Sequence, residues 1–145
     1  MNRIQDSCLV ESMQLALSFR SNLNQIREII GLIKGHLQRM IPLSVEQDFN
    51  IHVSLTEALS NAIIHGNKEN STKKVDLTMR VSQKRIEFIV EDEGEGFDYQ
   101  HLPDPTEEEN LWKPHGRGIL FMKTLMHKVE YNSRGNQLML GYILP

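Results

Sequence analysis

The stretch from Ser44 to Asn67, SVEQDFNIHVSLTEALSNAIIHGN, constrains the fold more than any other part of the chain. Ile51, Leu55, Ala58, Leu59, Ala62 and Ile63 recur with the period of a helix buried along one side, so the stretch predicts one long helix running into a glycine. Glu57, Asn61 and His65 interrupt the apolar pattern at i, i+4 and i+8 and line up as a polar stripe on a core-facing helix. A buried carboxylate or amide without a partner costs roughly 1 to 3 kcal/mol, so such a stripe needs partners from the protein or from a ligand.

The rest of the chain supplies a sheet for that helix to cover. Met13, Leu15, Leu17 and Phe19 alternate with polar or small residues, as in a half-buried strand. Asn22 and Gln25 then resemble a capping arrangement, and Leu23, Ile26, Ile30, Ile33, Leu37 and Met40 mark a first amphipathic helix ending near Pro42. Gly31 and Gly35 each weaken that helix by about 1 kcal/mol, so packing must hold it. Arg20, Arg27 and Lys34 are spaced to share one face, either solvated or used to dock a partner.

Downstream, Val75 to Val81 and Ile86 to Val90 alternate as two strands joined at Ser82 and Gln83, the second delivering the chain to Asp92. Asp98 to Pro114 has no periodicity, three prolines and an acidic run at Glu107, Glu108 and Glu109, the signature of a lid or an insert. Gly118 opens a short helix to about Met126. The strands Lys128 to Tyr131 and Gln137 to Ile143 close the chain around a turn at Ser133 to Asn136. The order predicts an α+β fold over residues 1 to 145 as one domain, a two-layer sandwich with helices covering one face of a mixed, mostly antiparallel sheet.

Composition removes several classes of function. A single cysteine, Cys8, forbids an intrachain disulfide, and no Cys/His spacing fits a structural zinc site. The sequence lacks a long apolar span and a basic-then-apolar leader, so a cytoplasmic protein without a membrane association is expected. A net charge of −3 with interspersed signs argues against nucleic acid as the direct partner.

Two glycine-bearing segments accompany the polar stripe. Gly94 and Gly96 straddle Glu95 just after a strand, where backbone turns sharply or approaches a ligand closely. Asp92 before them can accept a hydrogen bond from the exocyclic amine of a purine, although the residues alone fit an acidic turn as well. Gly116, Arg117 and Gly118 at a helix start can cradle an anion with free N–H groups, with Arg117 adding a cation. The Asn61 oxygen suits one vertex of a Mg²⁺ octahedron otherwise filled by phosphate and water. Glu57, one turn away, can take the proton from an attacking hydroxyl.

The set Glu57-x-x-x-Asn61-x-x-x-His65-Gly66-Asn67, Asp92-x-Gly94-x-Gly96-Phe97 and Gly116-Arg117-Gly118 resembles the GHKL ATPases and their Bergerat-type fold. TEALSNAIIHGN, EDEGEGFD and DPTEEENLWKPHGRGILFMKTLM are most similar to the small anti-sigma factor serine/threonine kinases of bacteria. The resemblance implies that Asn61 ligates the Mg²⁺ bridging the ATP phosphates and that Glu57 is the general base. It further implies that Asp92 receives the adenine amine, that Gly94 and Gly96 shape the pocket, and that Gly116, Arg117 and Gly118 close on the phosphates. His65, Gly66 and Asn67 match the end of the asparagine box, with Lys68 an equal candidate for reaching phosphate. The implied partners are a STAS-type anti-anti-sigma substrate and a sigma factor held by a kinase homodimer.

Two positions depart from that pattern. Gly135 is followed by Asn136 and Gln137 where many relatives have a threonine after the glycine, and His127 stands where an aspartate is common. The rival reading is a catalytically silent module that binds nucleotide only to order its grip on a protein partner.

Overall fold

The computed structural model describes residues 12–96 and 118–145, together with the backbone but not the side chain of Arg117. The described residues form a five-stranded sheet in the order β1-β2-β3-β5-β4. The strands are β1 (Met13–Arg20), β2 (Lys74–Ser82), β3 (Arg85–Asp92), β4 (Lys128–Tyr131) and β5 (Gln137–Ile143). All four pairings among the described residues are antiparallel, where the sequence had suggested a mixed sheet. The reason is connectivity. The two hairpins turn back directly, and α3 (Arg117–Leu125) leads into β4 at the sheet edge, so no strand returns parallel to its neighbour.

Strand alternation explains which side chains reach the core. Leu15, Met79, Phe88, Leu140 and Val129 lie in one row across the strands, and Leu17, Leu77, Val90, Leu138 and Tyr131 lie in the next. Residues between them point to the exposed face, as the burial of β2 and β3 alternates. The third row runs Phe19, Val75, Asp92, so the same period that buries two apolar residues turns a carboxylate inward at the end of the sheet. Fully burying a residue such as Phe88 or Leu140 contributes about 1.5 to 3 kcal/mol.

Helices α1 (Ile26–Met40) and α2 (Val45–Asn61) cover this inner face. Asn22 Oδ1 accepts the Asn24 N–H and starts a 3-10 turn over Leu23–Gln25, after which Ile26, Ile30, Ile33 and Leu37 face the core. A capping box starts α2: Ser44 Oγ accepts from the Gln47 N–H at 3.1 Å and Gln47 Oε1 accepts from the Ser44 N–H at 2.8 Å. Lys34 of α1 reaches Asp48 of α2 at 3.0 Å, tying the two helices together. Arg20 ends β1, before the helix begins, and so does not share a helical face with Arg27 and Lys34 as the spacing had suggested. Those two line an open groove of about 680 Å³ between α1 and α2.

The central helix is not regular to its end. The α-helix stops at Asn61, and Ala62–Gly66 continues as a π turn in which the Asn67 N–H bonds the Ala62 carbonyl at 2.8 Å. The Glu69 N–H then reaches the Ile63 carbonyl at 2.7 Å, with Lys68 and Glu69 at φ 53° and 57°. Widened turns of this kind are frequent at functional sites.

Candidate functional site

Glu57 and Asn61 occupy the last turns of α2, both half-buried and facing α3. Gly118, near the start of α3, stands against them: a Cβ there would lie 2.6 Å from Glu57 Oε2 and 3.4 Å from Asn61 Nδ2. The helix start therefore meets the carboxylate and the amide with backbone rather than with a side chain. Free N–H groups at a helix N-terminus favour an anion, and the missing Cβ lets the Glu57 carboxylate and the Asn61 amide come close to that end. Gly116 and the Arg117 side chain, also expected here, lie outside the described residues, as does the predicted lid from Asp98 to Pro114.

His65 does not continue the stripe. The π turn changes the angular advance per residue after Asn61, and His65 within it is exposed where Glu57 and Asn61 are half-buried. Lys68 is exposed in the following turn. Asn67, by contrast, is fully buried and binds three parts of the fold together. Its Nδ2 donates to the Lys74 carbonyl at 2.9 Å and its Oδ1 accepts the Glu93 N–H at 2.8 Å, joining the end of the central helix to the start of β2 and the end of β3.

Asp92 lies at the other end of the site, 9% exposed. Its Oδ1 accepts the Gly94 N–H at 2.8 Å. Gly66 packs flat against the carboxylate, and a Cβ on Gly66 would overlap it; a Cβ on Gly94 would overlap the Gly66 carbonyl. The two glycines are thus required by close approach, one from the helix end and one from the strand end. Burial raises the Asp92 pKa above the ordinary carboxylate value; the Gly94 N–H lowers it, Glu91 raises it, and Arg134 and Lys73 lower it. Gly96, at φ 82°, packs on the Arg134 carbonyl.

Tyr131 escaped the sequence reading. It ends β4 on the inner row with Leu138, and its hydroxyl lies within the influence of both Asn61 and Asp92. Burial pushes its pKa up to about 12, with the Asp92 charge adding to the rise and a hydrogen bond with the Asn61 side chain opposing it. A neutral phenol therefore stands between the two ends of the site. Its only sequence signal was a polar-tipped aromatic at the close of a short strand.

The two departures noted in the sequence also find their places. His127 Nδ1 accepts the Ile143 N–H at 2.9 Å, and its ring meets Tyr142 edge-on at 4.8 Å between centroids, a packing role. Asn136 is buried beside Asp92, with its Nδ2 donating to the Asp92 carbonyl at 3.3 Å. Among the described residues, no three Cys, His, Asp or Glu side chains converge as a metal cage. A hard cation here would take one protein oxygen from Asn61 and its other ligands from phosphate and water, a donor set that suits Mg²⁺. No helix among the described residues is long and apolar enough to cross a membrane.

The sequence and the fold that bring these residues together are matched by known proteins. The profile of the histidine kinase-like ATPase domain matches residues 19–142. The chain belongs to this ATPase family. It is 29% identical over 113 residues to the serine-protein kinase RsbW of Bacillus subtilis, covering 71% of this chain and 70% of that one. It is 31% identical over 98 residues to the anti-sigma F factor of Clostridium perfringens, covering 65% and 69%. A further RsbW, from Staphylococcus epidermidis, is 31% identical over 100 residues, 63% of either chain.

The crystal structure of the RsbU and RsbW domains of Rv1364c from Mycobacterium tuberculosis shares the fold, with a TM-score of 0.61 at 13% identity. The match covers 91% of this chain and 32% of that one. The α+β architecture is therefore that of the ATPase family, and within it this chain is of the RsbW and anti-sigma factor type, an enzyme of the protein serine/threonine kinase class.

Proposed function

We propose that this family member binds ATP with Mg²⁺ and transfers the γ-phosphoryl group to a serine or threonine hydroxyl of a STAS-type anti-anti-sigma protein. Through the same protein-binding activity it holds a sigma factor inactive. The observation that carries the reading is the convergence of Glu57 and Asn61 beneath Gly118.

In this reading Asp92 accepts the adenine amine, its carboxylate framed by Gly66 and Gly94. The backbone at the start of α3 faces the phosphates, where its N–H groups offset their charge. Asn61 would hold the Mg²⁺, which when bound supplies charge neutralisation to the phosphates. Glu57 takes the proton of the substrate hydroxyl as its oxygen forms a bond to the γ-phosphorus. The bond from that phosphorus to the β,γ-bridging oxygen breaks, and ADP leaves with the electron pair. Positioning and charge do most of the work in such a transfer, which suits a site made of rigid helix ends and glycines.

The deciding experiment is transfer of γ-phosphate label from ATP to a STAS-domain protein of the same organism, comparing wild type with Glu57→Gln. Acid-stable label produced by wild type alone supports the kinase reading. ATP and STAS binding without transfer by wild type would replace it with a nucleotide-ordered binding module.

A further inference from the structure

The tip of the β4–β5 hairpin is built around one side chain. Asn132 Oδ1 accepts the backbone N–H groups of Gly135, Asn136 and Gln137 at 2.8, 3.1 and 3.2 Å. Its Nδ2 donates to Asn136 Oδ1 at 2.8 Å, so both ends of the amide are used. Asparagine favours such local bonding because its short side chain can stand in for a turn of backbone.

The tip in turn holds the segment that follows β3 at three points. At Asp92, the Asn136 carbonyl accepts the Asp92 N–H at 2.9 Å and Asn136 Nδ2 donates to the Asp92 carbonyl at 3.3 Å. At Gly94, Arg134 Nη2 donates to the carbonyl at 3.3 Å. At Gly96, the Arg134 carbonyl fills the place where any other residue would carry a Cβ. Asn136 is 8% exposed, so these bonds are made where water does not replace them cheaply.

We propose that Asn132 is a positioning residue for base recognition, which shapes the hairpin tip so that Asn136 and Arg134 hold Asp92 and its glycines in register for a purine. The inference rests on the reading of Asp92 as the acceptor of the base. Asn132 acts through Asn136 and the Asp92 backbone, with no contact to nucleotide required of it. Losing the Asn132 side chain releases the Asn136 and Gln137 N–H groups and the Asn136 amide together, while the Gly135 N–H keeps the Asn132 carbonyl at 3.1 Å, and the backbone that carries the Asp92 carboxylate loses its brace.

A double-mutant cycle separates positioning from general damage, with ATP affinity measured by calorimetry on the full chain. Asn132→Ala weakens ATP binding about 10-fold in the wild-type background and less than about 2-fold in Asp92→Asn, because residues acting as one unit are not additive. An equal penalty in both backgrounds, or none in the wild type, overturns the inference while leaving Asp92 in place. Wild-type affinity in Asp92→Asn would remove the acceptor reading itself, and this inference with it. Should Asn132→Ala fail to fold, Asn132→Asp enters the same cycle: it keeps an oxygen for the three N–H groups, replaces the donor to Asn136 with a charged oxygen, and is held to the same non-additivity.

Discussion

Gly118 and Glu57 meet across the α3 and α2 interface so closely that a Cβ on Gly118 would stand 2.6 Å from Glu57 Oε2. The obstructing atom is the far end of a flexible side chain, so the carboxylate rather than the backbone would yield. Gly118→Ala is therefore expected to keep the fold while displacing Glu57, lowering kcat for phosphotransfer about 100-fold, the scale on which a misplacement of about 1 Å acts. Circular dichroism and steady-state kinetics on the same preparation check this; an unchanged kcat would mean that Glu57 does not work from this position.

Asn61 gives a prediction that separates binding from chemistry. Asn61→Ala removes the amide oxygen proposed for Mg²⁺, so ATP affinity should cease to respond to Mg²⁺ while Glu57→Gln responds as wild type does. Calorimetric titration of ATP with Mg²⁺ and with EDTA distinguishes the variants. Equal Mg²⁺ dependence in Asn61→Ala and wild type would sink the metal role.

Much of this site was legible in the sequence because its parts obey local periods. The strand alternation that named Ile86, Phe88 and Val90 as inward also carries Asp92 to the inner face, two residues on. The helical period likewise placed Glu57 and Asn61 on one side of α2. The π turn after Asn61 was not legible, because hydrogen-bond register over Ala62–Gly66 leaves no trace in a hydrophobic pattern. Tyr131 and Asn132, and the tie that Asn136 makes to Asp92, were missed for a different reason. Their importance lies in contacts with residues far away in the chain, such as Asn136 with Asp92, and spacing along a sequence says nothing of those. The Ser44 and Gln47 capping box was a readable signal that the helical reading passed over.

Asn67 is expected to matter for stability more than for chemistry. Asn67→Ala leaves the Glu93 N–H and the Lys74 carbonyl without their partner at a fully buried position. Both bonds are only part-buried, so each orphaned group costs about 1 kcal/mol, the low end for a buried one, and the variant should lose roughly 1 to 3 kcal/mol in urea unfolding. Asn67→Asp keeps the acceptor for Glu93 but sets a charged oxygen against the Lys74 carbonyl in a fully buried place, so it should lose at least as much. Loss of under about 0.5 kcal/mol in Asn67→Ala would show that water takes over both bonds.

Asp92 ties stability and binding to pH in opposite senses. Burial, its largest influence, raises the folded-state pKa above the ordinary value, so the folded chain holds this proton more tightly than the unfolded one. The group's contribution to apo stability is then fully present below about 3.9, the unfolded carboxylate value, and is lost as pH rises through the raised folded value. ATP binding runs the other way, since only the ionised carboxylate accepts from both the adenine amine and the Gly94 N–H without a proton in between. Affinity should therefore fall on acidification at a higher pH than an ordinary aspartate would give. Asp92→Asn removes the buried charge and keeps an oxygen for Gly94, so at pH 7 the apo variant should melt no lower than wild type. The same variant should bind ATP about 10 to 150-fold more weakly, the equivalent of one hydrogen bond to a charged acceptor. Melting curves and ATP titrations from pH 5 to 8 test both halves, and a variant that melts lower at pH 7 would show that the carboxylate stabilises the apo fold after all.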